Sequence, residues 1–464
     1  MKTRFDLRPA LFVASLLSTA PVLATDLATV YQKALQSDPL IREAEANRLA
    51  ALEAKPQARA ALLPQVSASA AYDDSSSDGS RTFFQSTGTG IAIVSIDSES
   101  DATRRTWDLT LRQNVFRWEN WVALRRAGDT VAQAEADYAA ARQELIVRTA
   151  ETYFNVLAAQ DTSEAAQATY DAIARQLEQS EKRFEVGLIA VTDVQEAKAA
   201  SDSASAALIQ AKRNLATTQE RLRELTGEAY AELARPGTQM PLAGPDPANA
   251  EDWVRLALDQ NQRLIASRLA ADITRENVSA QRGGHYPSLD LVVSRSHFEL
   301  DSDFSSGGFS GPNNSDSDDT SVTLQLTVPV FSGGATSSRV RQAEYQHQAA
   351  RQRLERVARQ TERETRDAYL GVNAEVARVR SLHQAVESAN TALQATEAGY
   401  EVGTRTSVDV LDARRRLFEA QTNYARSRYD YLINVLRLRL AAGTLDAAGV
   451  SEINGLLTEN VQLR

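Results

Sequence analysis

The chain contains no cysteine, which excludes disulfides, thiolate metal sites and a lipid-carrying N-terminal cysteine. Its four histidines, His285, His297, His347 and His383, show no metal-ligand spacing, and neither a nucleophile motif nor a nucleotide-binding loop accompanies them. The sequence therefore reads as a non-enzyme without cofactor or metal. Positive charge is in deficit: 51 Lys and Arg stand against 61 Asp and Glu, a formal net charge of −10. A nucleic-acid partner is not expected from such a balance. After residue 24 no run approaches the ~18 apolar residues of a membrane helix. Tilted β-strands, which cross a bilayer with a weaker sequence signal, remain open.

The N-terminus has the pattern of a Sec-type signal peptide over residues 1–24. Lys2, Arg4 and Arg8 precede an apolar run from Ala10 to Leu17, and Val22-Leu23-Ala24 supplies a small-residue cleavage site. Cleavage there removes three positive charges and one negative, taking the net charge from −10 to −12. The mature chain is expected to be exported.

What the chain has in abundance is repetition. RFEVGLIAVTDVQEA (183–197) returns as GYEVGTRTSVDVLDA (399–413), with Gly187 aligned to Gly403, 216 positions on. The same offset pairs Tyr153 with Tyr369, Val156 with Val372, Leu222 with Leu438 and Gly227 with Gly443. Period is read before fold, and here it means one long hairpin built twice. Each half reads as short helix, helix, strand, loop, strand, very long helix, tight turn and long returning helix. The first repeat spans 25–234 and the second 251–445; a Pro/Gly-rich linker covers 235–250 and a tail 446–464.

Residues 119–186 and 334–402 carry no proline and predict helices about 100 Å long. Returning helices are predicted over 190–226 and 406–442. Leu124, Val131, Tyr138 and Leu145 recur every seven positions, as do Val372, Val379, Val386 and Leu393, which marks coiled-coil seams. Shorter leading helices are expected from about Leu27 to Leu62 and from about Asp252 to Arg282, each stopping before a proline, Pro64 or Pro287.

Strands are predicted over 65–72, 106–116, 288–298 and 321–331. In the last, Val322, Leu324, Leu326, Val328 and Val330 alternate with Thr323, Gln325 and Thr327. Each is close to the ~9–11 residues of a membrane-crossing strand. The Ser/Asp/Gly-rich segments 73–105 and 299–320 are expected as long loops. Half-buried strands of a soluble protein alternate in the same way. Four strands cannot close a wet barrel, because closure takes about 8. If these strands enter a membrane, several chains share one barrel.

TAETYFNVLAAQD (149–161), RQLEQSEKRFEVGLIAVTDVQEA (175–197), RENVSAQRGGHYPSLDL (275–291), EAGYEVGTRTSVDVLDA (397–413) and RYDYLINVLRLRLAAGTL (428–445) together resemble the TolC family of outer-membrane channel proteins. The resemblance covers nearly the whole mature chain. It implies a mixed α and β membrane protein: a homotrimeric twelve-stranded β-barrel, four strands per chain, continuous with a periplasmic α-helical coiled-coil barrel. It implies an exit duct for multidrug efflux and type I secretion, set in outer-membrane lipid. Its partners would be a periplasmic adaptor protein and an inner-membrane pump of RND or ABC type. The rival reading is a coiled-coil adhesin or scaffold without conductance.

The hairpin turns at Gly187 and Gly403 suit left-handed helix ends. Thr192 with Gln195, and Thr406 with Asp409, have capping-box spacing for the returning helices. Asp409 and Asp412 are three apart and share a helix face. Two acids in the first turns also simply favour the helix dipole. A threefold assembly would instead ring one axis with six carboxylates, which favours cations. By resemblance, Asp409 and Asp412 match the aperture constriction. By the same resemblance, Tyr400 reaches Asp193 within a chain, Arg405 reaches Thr192 and Asp193 of a neighbouring chain, and Gln176 pairs with Glu397. These bonds would hold an iris shut until a pump docks.

Overall fold

The computed structural model describes residues 25–88, 90–237 and 240–463; the expected signal peptide, 1–24, lies outside the described residues. The chain opens with α1 (Leu27–Ser37), α2 (Pro39–Leu52) and α3 (Ala54–Ala60). A short helix and a second helix were expected between about Leu27 and Leu62, and the break between α1 and α2 falls at Asp38 because Pro39 takes the first position of α2, where its missing N–H costs nothing. Then follow β1 (Gln65–Thr87), β2 (Gly90–Phe116), α4 (Trp118–Glu185), α5 (Val191–Thr226), β3 (Glu232–Pro236), α6 (Ala250–Gln260) and α7 (Gln262–Arg282). The short helix and helix expected over 252–282 meet at Asn261, whose side chain accepts from the Leu264 N–H at 3.1 Å and caps α7. The second half continues with β4 (Ser288–Ser306), β5 (Phe309–Pro312), β6 (Ser315–Thr327), α8 (Ala335–Glu401), α9 (Ser407–Ala442), α10 (Ala447–Asn454) and β7 (Leu457–Gln462).

β1, β2, β4 and β6 form one antiparallel sheet in that spatial order, with β5 folding back on the end of β4. The register lines up a single apolar face. Val66 stands opposite Leu111, Ala68 opposite Leu109 and Ala70 opposite Trp107. Leu111 in turn faces Val293, and Leu289, Leu291 and Val293 face Leu326, Leu324 and Val322. Ser67, Thr110, Ser294 and Ser321 occupy the opposite face. This apolar face is uncovered: Val66, Leu109, Val322, Leu324 and Leu326 are all exposed. Among the described residues, β1 and β6 each leave one edge unpaired.

The strands differ from expectation in length. The segments 73–105 and 299–320, expected as loops, are mostly strand, because their backbones pair without interruption from Asp73↔Arg104 to Thr87↔Gly90. Ser and Asp on both faces predict no alternation, but a ladder needs only backbone groups and an edge to pair with. Conversely, residues 328–331 leave the sheet after Thr327. Pro329 has no N–H to offer a ladder.

The helices carry the main core, a collar around the middle of α4 and α9. Tyr153 and Phe154 are fully buried and meet edge to face at 5.5 Å, while Phe154 stacks on Tyr429 at 5.7 Å. Fully burying such a side chain contributes about 1.5–3 kcal/mol. The tail expected over 446–464 joins this core. β7 pairs antiparallel with β3, and Val450, Ile453 and Val461 are buried among Leu27, Leu233 and Leu436. A polar cluster closes the collar on the side nearer the hairpin turns. The Tyr429 hydroxyl donates to Asp161 at 2.7 Å, Arg235 bridges to Glu459 at 3.2 Å, and Arg428 donates to the carbonyl of Pro236 at 2.9 Å. Burial raises the pKa of both Asp161 and Tyr429.

Candidate aperture at the helical tip

α4 runs 68 residues and α8 runs 67, each about 100 Å at 1.5 Å per residue, so their far ends lie well away from the sheet. Both end in the same way. Gly187 and Gly403 adopt φ of 76° and 80°. The Gly187 N–H donates to Phe184 O at 2.8 Å and the Leu188 N–H to Arg183 O at 2.9 Å. In the second hairpin Gly403 donates to Tyr400 O at 3.1 Å and Thr404 to Gly399 O at 2.8 Å. This is the Schellman arrangement, and its positive φ is what requires glycine.

The two returning helices then open differently. Thr406 caps α9: its Oγ1 accepts from the Asp409 N–H at 3.2 Å, while Asp409 accepts from the Thr406 N–H at 2.9 Å. For α5 the expected capping box of Thr192 with Gln195 does not form. Its N-cap is Ala190, and Asp193 accepts from the Ala190 N–H at 3.4 Å. The 216-residue offset pairs Ala190 with Thr406. Alanine has no hydroxyl, so only half of the box exists there.

Asp409 and Asp412 follow one another on α9 with different partners. The Thr406 bonds hold the Asp409 carboxyl below its ordinary pKa. Asp412 is lowered chiefly by its bond to Arg415, which lies at 2.5 Å, with Arg416 at 2.7 Å on its other oxygen. Glu397 pairs with Arg414 at 2.5 Å. Gln176 is buried on α4, and its Nε2 has no hydrogen-bond partner within the chain, nor do the buried hydroxyls of Ser180 and Ser407. Tyr400 faces the first hairpin through its ring, with the Arg183 guanidinium 5.1 Å from the centroid. Among the described residues no hydrogen bond joins Tyr400 to Asp193 or Gln176 to Glu397. Asp193 and Glu397 are already engaged by Ala190 and Arg414. The bonds expected from Arg405 to Thr192 and Asp193 of a neighbour lie outside a single chain.

The profile of the outer membrane efflux protein family matches residues 30–228 and 253–444, most of both repeats. The chain belongs to that family. It is 38% identical to the outer membrane protein TolC of Vibrio cholerae over 96% of this chain and 97% of the relative. To TolC of Escherichia coli K12 it is 37% identical, over 94% of this chain and 86% of the relative. It is also 30% identical, over 93% and 87%, to the alkaline protease secretion protein AprF of Pseudomonas aeruginosa. The fold is that of the Campylobacter jejuni outer-membrane channel CmeC, with TM-score 0.71 at 17% identity over 98% of both chains. The Vibrio cholerae outer-membrane protein VceC gives 0.69 at 23% identity, over 90% of this chain and 96% of that one.

As a member of the family the chain is an outer-membrane efflux channel, and its relatives are channels rather than enzymes. Among the described residues no helix is long and apolar enough to cross a membrane. Sequence reasoning missed Arg183, Arg414, Arg415 and Arg416 at the tip. The last two stand three and four residues after Asp412, the spacing at which helix neighbours meet, and could have been read from it.

Proposed function

We propose that three copies of this chain assemble into one outer-membrane channel-tunnel that serves as the passive exit duct for multidrug efflux and for type I protein secretion. The observation that carries this reading is the sheet. Among the described residues it has four long strands and the short β5, one exposed apolar face and an unpaired edge on each side. An open edge of that length pairs with another chain, and twelve strands make a barrel wide enough to stay wet. Twelve long helices below would continue the lumen across the periplasm. A periplasmic adaptor and an RND- or ABC-type pump would supply energy, since the sequence has no nucleotide-binding loop.

The tip then acts as an iris. α8 and α9, carrying Tyr400, Arg405, Asp409 and Asp412, rotate outward against α4 and α5. Tyr400 and Arg405 are the residues aimed at the first hairpin or at a neighbour, and they restrain that movement. The constriction is Asp409 and Asp412. The aromatic contact between Tyr400 and Arg183 supports a direct hold between the two hairpins; such contacts contribute about 0.5–1 kcal/mol at exposed sites, weak enough to release. Reconstitution of the purified protein in a planar lipid bilayer tests the reading. Discrete channels from a species of three chains are expected. A protein that is monomeric in detergent and silent in the bilayer would leave the scaffold reading standing instead.

A further inference from the structure

The acidic stripe of α9 does not end in bare carboxylates. Arg414, Arg415 and Arg416 follow Asp412 after Ala413, whereas the 216-residue offset sets Lys198, Ala199 and Ala200 at the matching positions of α5. The arginine pair Arg415 and Arg416 is therefore peculiar to the second copy, the one that carries the aperture residues. From Glu397 to Arg416 four acids (Glu397, Glu401, Asp409 and Asp412) stand against four arginines (Arg405, Arg414, Arg415 and Arg416).

Helix geometry decides where one of these arginines sits. At about 100° per residue, Arg416 falls between Asp409 and Asp412 in azimuth, about 20° from the first and 40° from the second. Any rotation of α9 that turns both aspartates toward a channel axis turns Arg416 toward it as well. Arg416 lies about 6 Å along the helix from Asp412, farther from the turn. Arg415 is set about 60° to the side of Asp412. Both reach the same carboxylate, Arg415 at 2.5 Å and Arg416 at 2.7 Å, and both remain largely exposed. Exposed pairs of this kind add little stability. Their charge nonetheless acts on a passing ion over the ~8–10 Å Debye length of ordinary salt, which spans both rings.

We propose that Arg416, seconded by Arg415, sets the ion selectivity of the entrance. It places a basic ring one turn above the acidic one, so the aperture is charge-balanced and admits anionic cargo as readily as cationic. This rests on the reading of Asp409 and Asp412 as the constriction.

The test is reversal potential in a KCl gradient with the purified full-length protein in planar bilayers, followed by MgCl2 titration from the tip side. The wild-type ratio of K+ to Cl− permeability is expected near unity, with weak Mg2+ block. Arg415→Gln with Arg416→Gln should raise that ratio at least about fivefold and deepen the block, as an uncompensated carboxylate ring does. Arg415→Lys with Arg416→Lys should return the ratio to the wild-type value, because charge and not fork geometry is at work. Asp409→Asn with Asp412→Asn should drive the ratio below unity. If the aspartate variant shifts selectivity and the glutamine variant does not, the constriction stands and the arginine proposal is overturned. A lysine variant that behaves like the glutamine one overturns the charge mechanism. If neither the aspartate nor the glutamine variant shifts selectivity, the constriction lies elsewhere and both readings fall.

Discussion

Around Tyr153, Phe154 and Tyr429 the helices are joined by interlocked aromatic rings, a polar cluster centred on the Tyr429–Asp161 bond and a strand pair that ties the C-terminal tail to β3 at the end of the first repeat. At the turns of the same helices the contact is a cation over a ring, exposed ion pairs and buried hydroxyls with no partner in the chain. The collar stores stability in apolar burial, which is lost all at once when opened. The tip holds its shape with charge and capping bonds, each of which water can replace. The iris proposed above would need this division, an assembly that holds while its entrance moves. Low local stability belongs with the moving part.

Cutting into the collar should give the largest effect. Phe154→Ala removes the ring stacked on Tyr429 and should cost about 3–5 kcal/mol, measured as a fall in Tm; a drop no larger than that of a tip variant would erase the contrast. Tyr429→Phe should cost about 1–3 kcal/mol, since it leaves the half-buried Asp161 carboxylate without its hydrogen-bond donor, with Arg235 3.6 Å away as its remaining partner. It also has a pH signature. Burial raises the Asp161 pKa, so the folded state binds the proton more tightly than the unfolded state. Stability is therefore greatest below the unfolded pKa and declines as pH rises through the folded one. Loss of the Tyr429 bond should steepen that decline, and Asp161→Asn should abolish it, as followed by Tm against pH.

At the tip, Gly403→Ala should cost about 1–2 kcal/mol through φ alone, since the space a Cβ would occupy is open. Ala190→Thr should move in the opposite direction, stabilising by about 0.5–1 kcal/mol as it completes the half-built cap of α5. A Tm unchanged or lowered by Ala190→Thr would mean that the first hairpin tip is constrained by something other than its cap. Tyr400→Ala with Arg405→Ser, which removes the ring over Arg183, should shift Tm least of all while raising single-channel conductance severalfold. Equal conductance in that variant would remove both residues from the gate.

The helical hairpins were legible in the sequence because heptads and missing prolines act locally. Where they turn was legible at Gly187 and Gly403, because positive φ excludes most side chains. The sheet was legible only where apolar and polar residues alternate, as from Val322 to Thr327. Its Ser/Asp-rich extensions were not, because backbone pairing leaves no mark on composition. At the aperture the sequence marks Asp409 and Asp412 as a pair on one face. It does not tell that Asp193 and Glu397 are engaged by Ala190 and Arg414, since several partners at helical spacing compete for each carboxylate.

By itself, then, the sequence determined what depends on near neighbours: helix length, turn position, the doubled hairpin and the resemblance to a family. Only the tertiary structure decided what depends on distant segments meeting. Register across four strands turned separate alternations into one apolar face, from Val66 to Leu326. The tail docked beside β3 because Val461 and Leu233 share a core that neither segment could form alone.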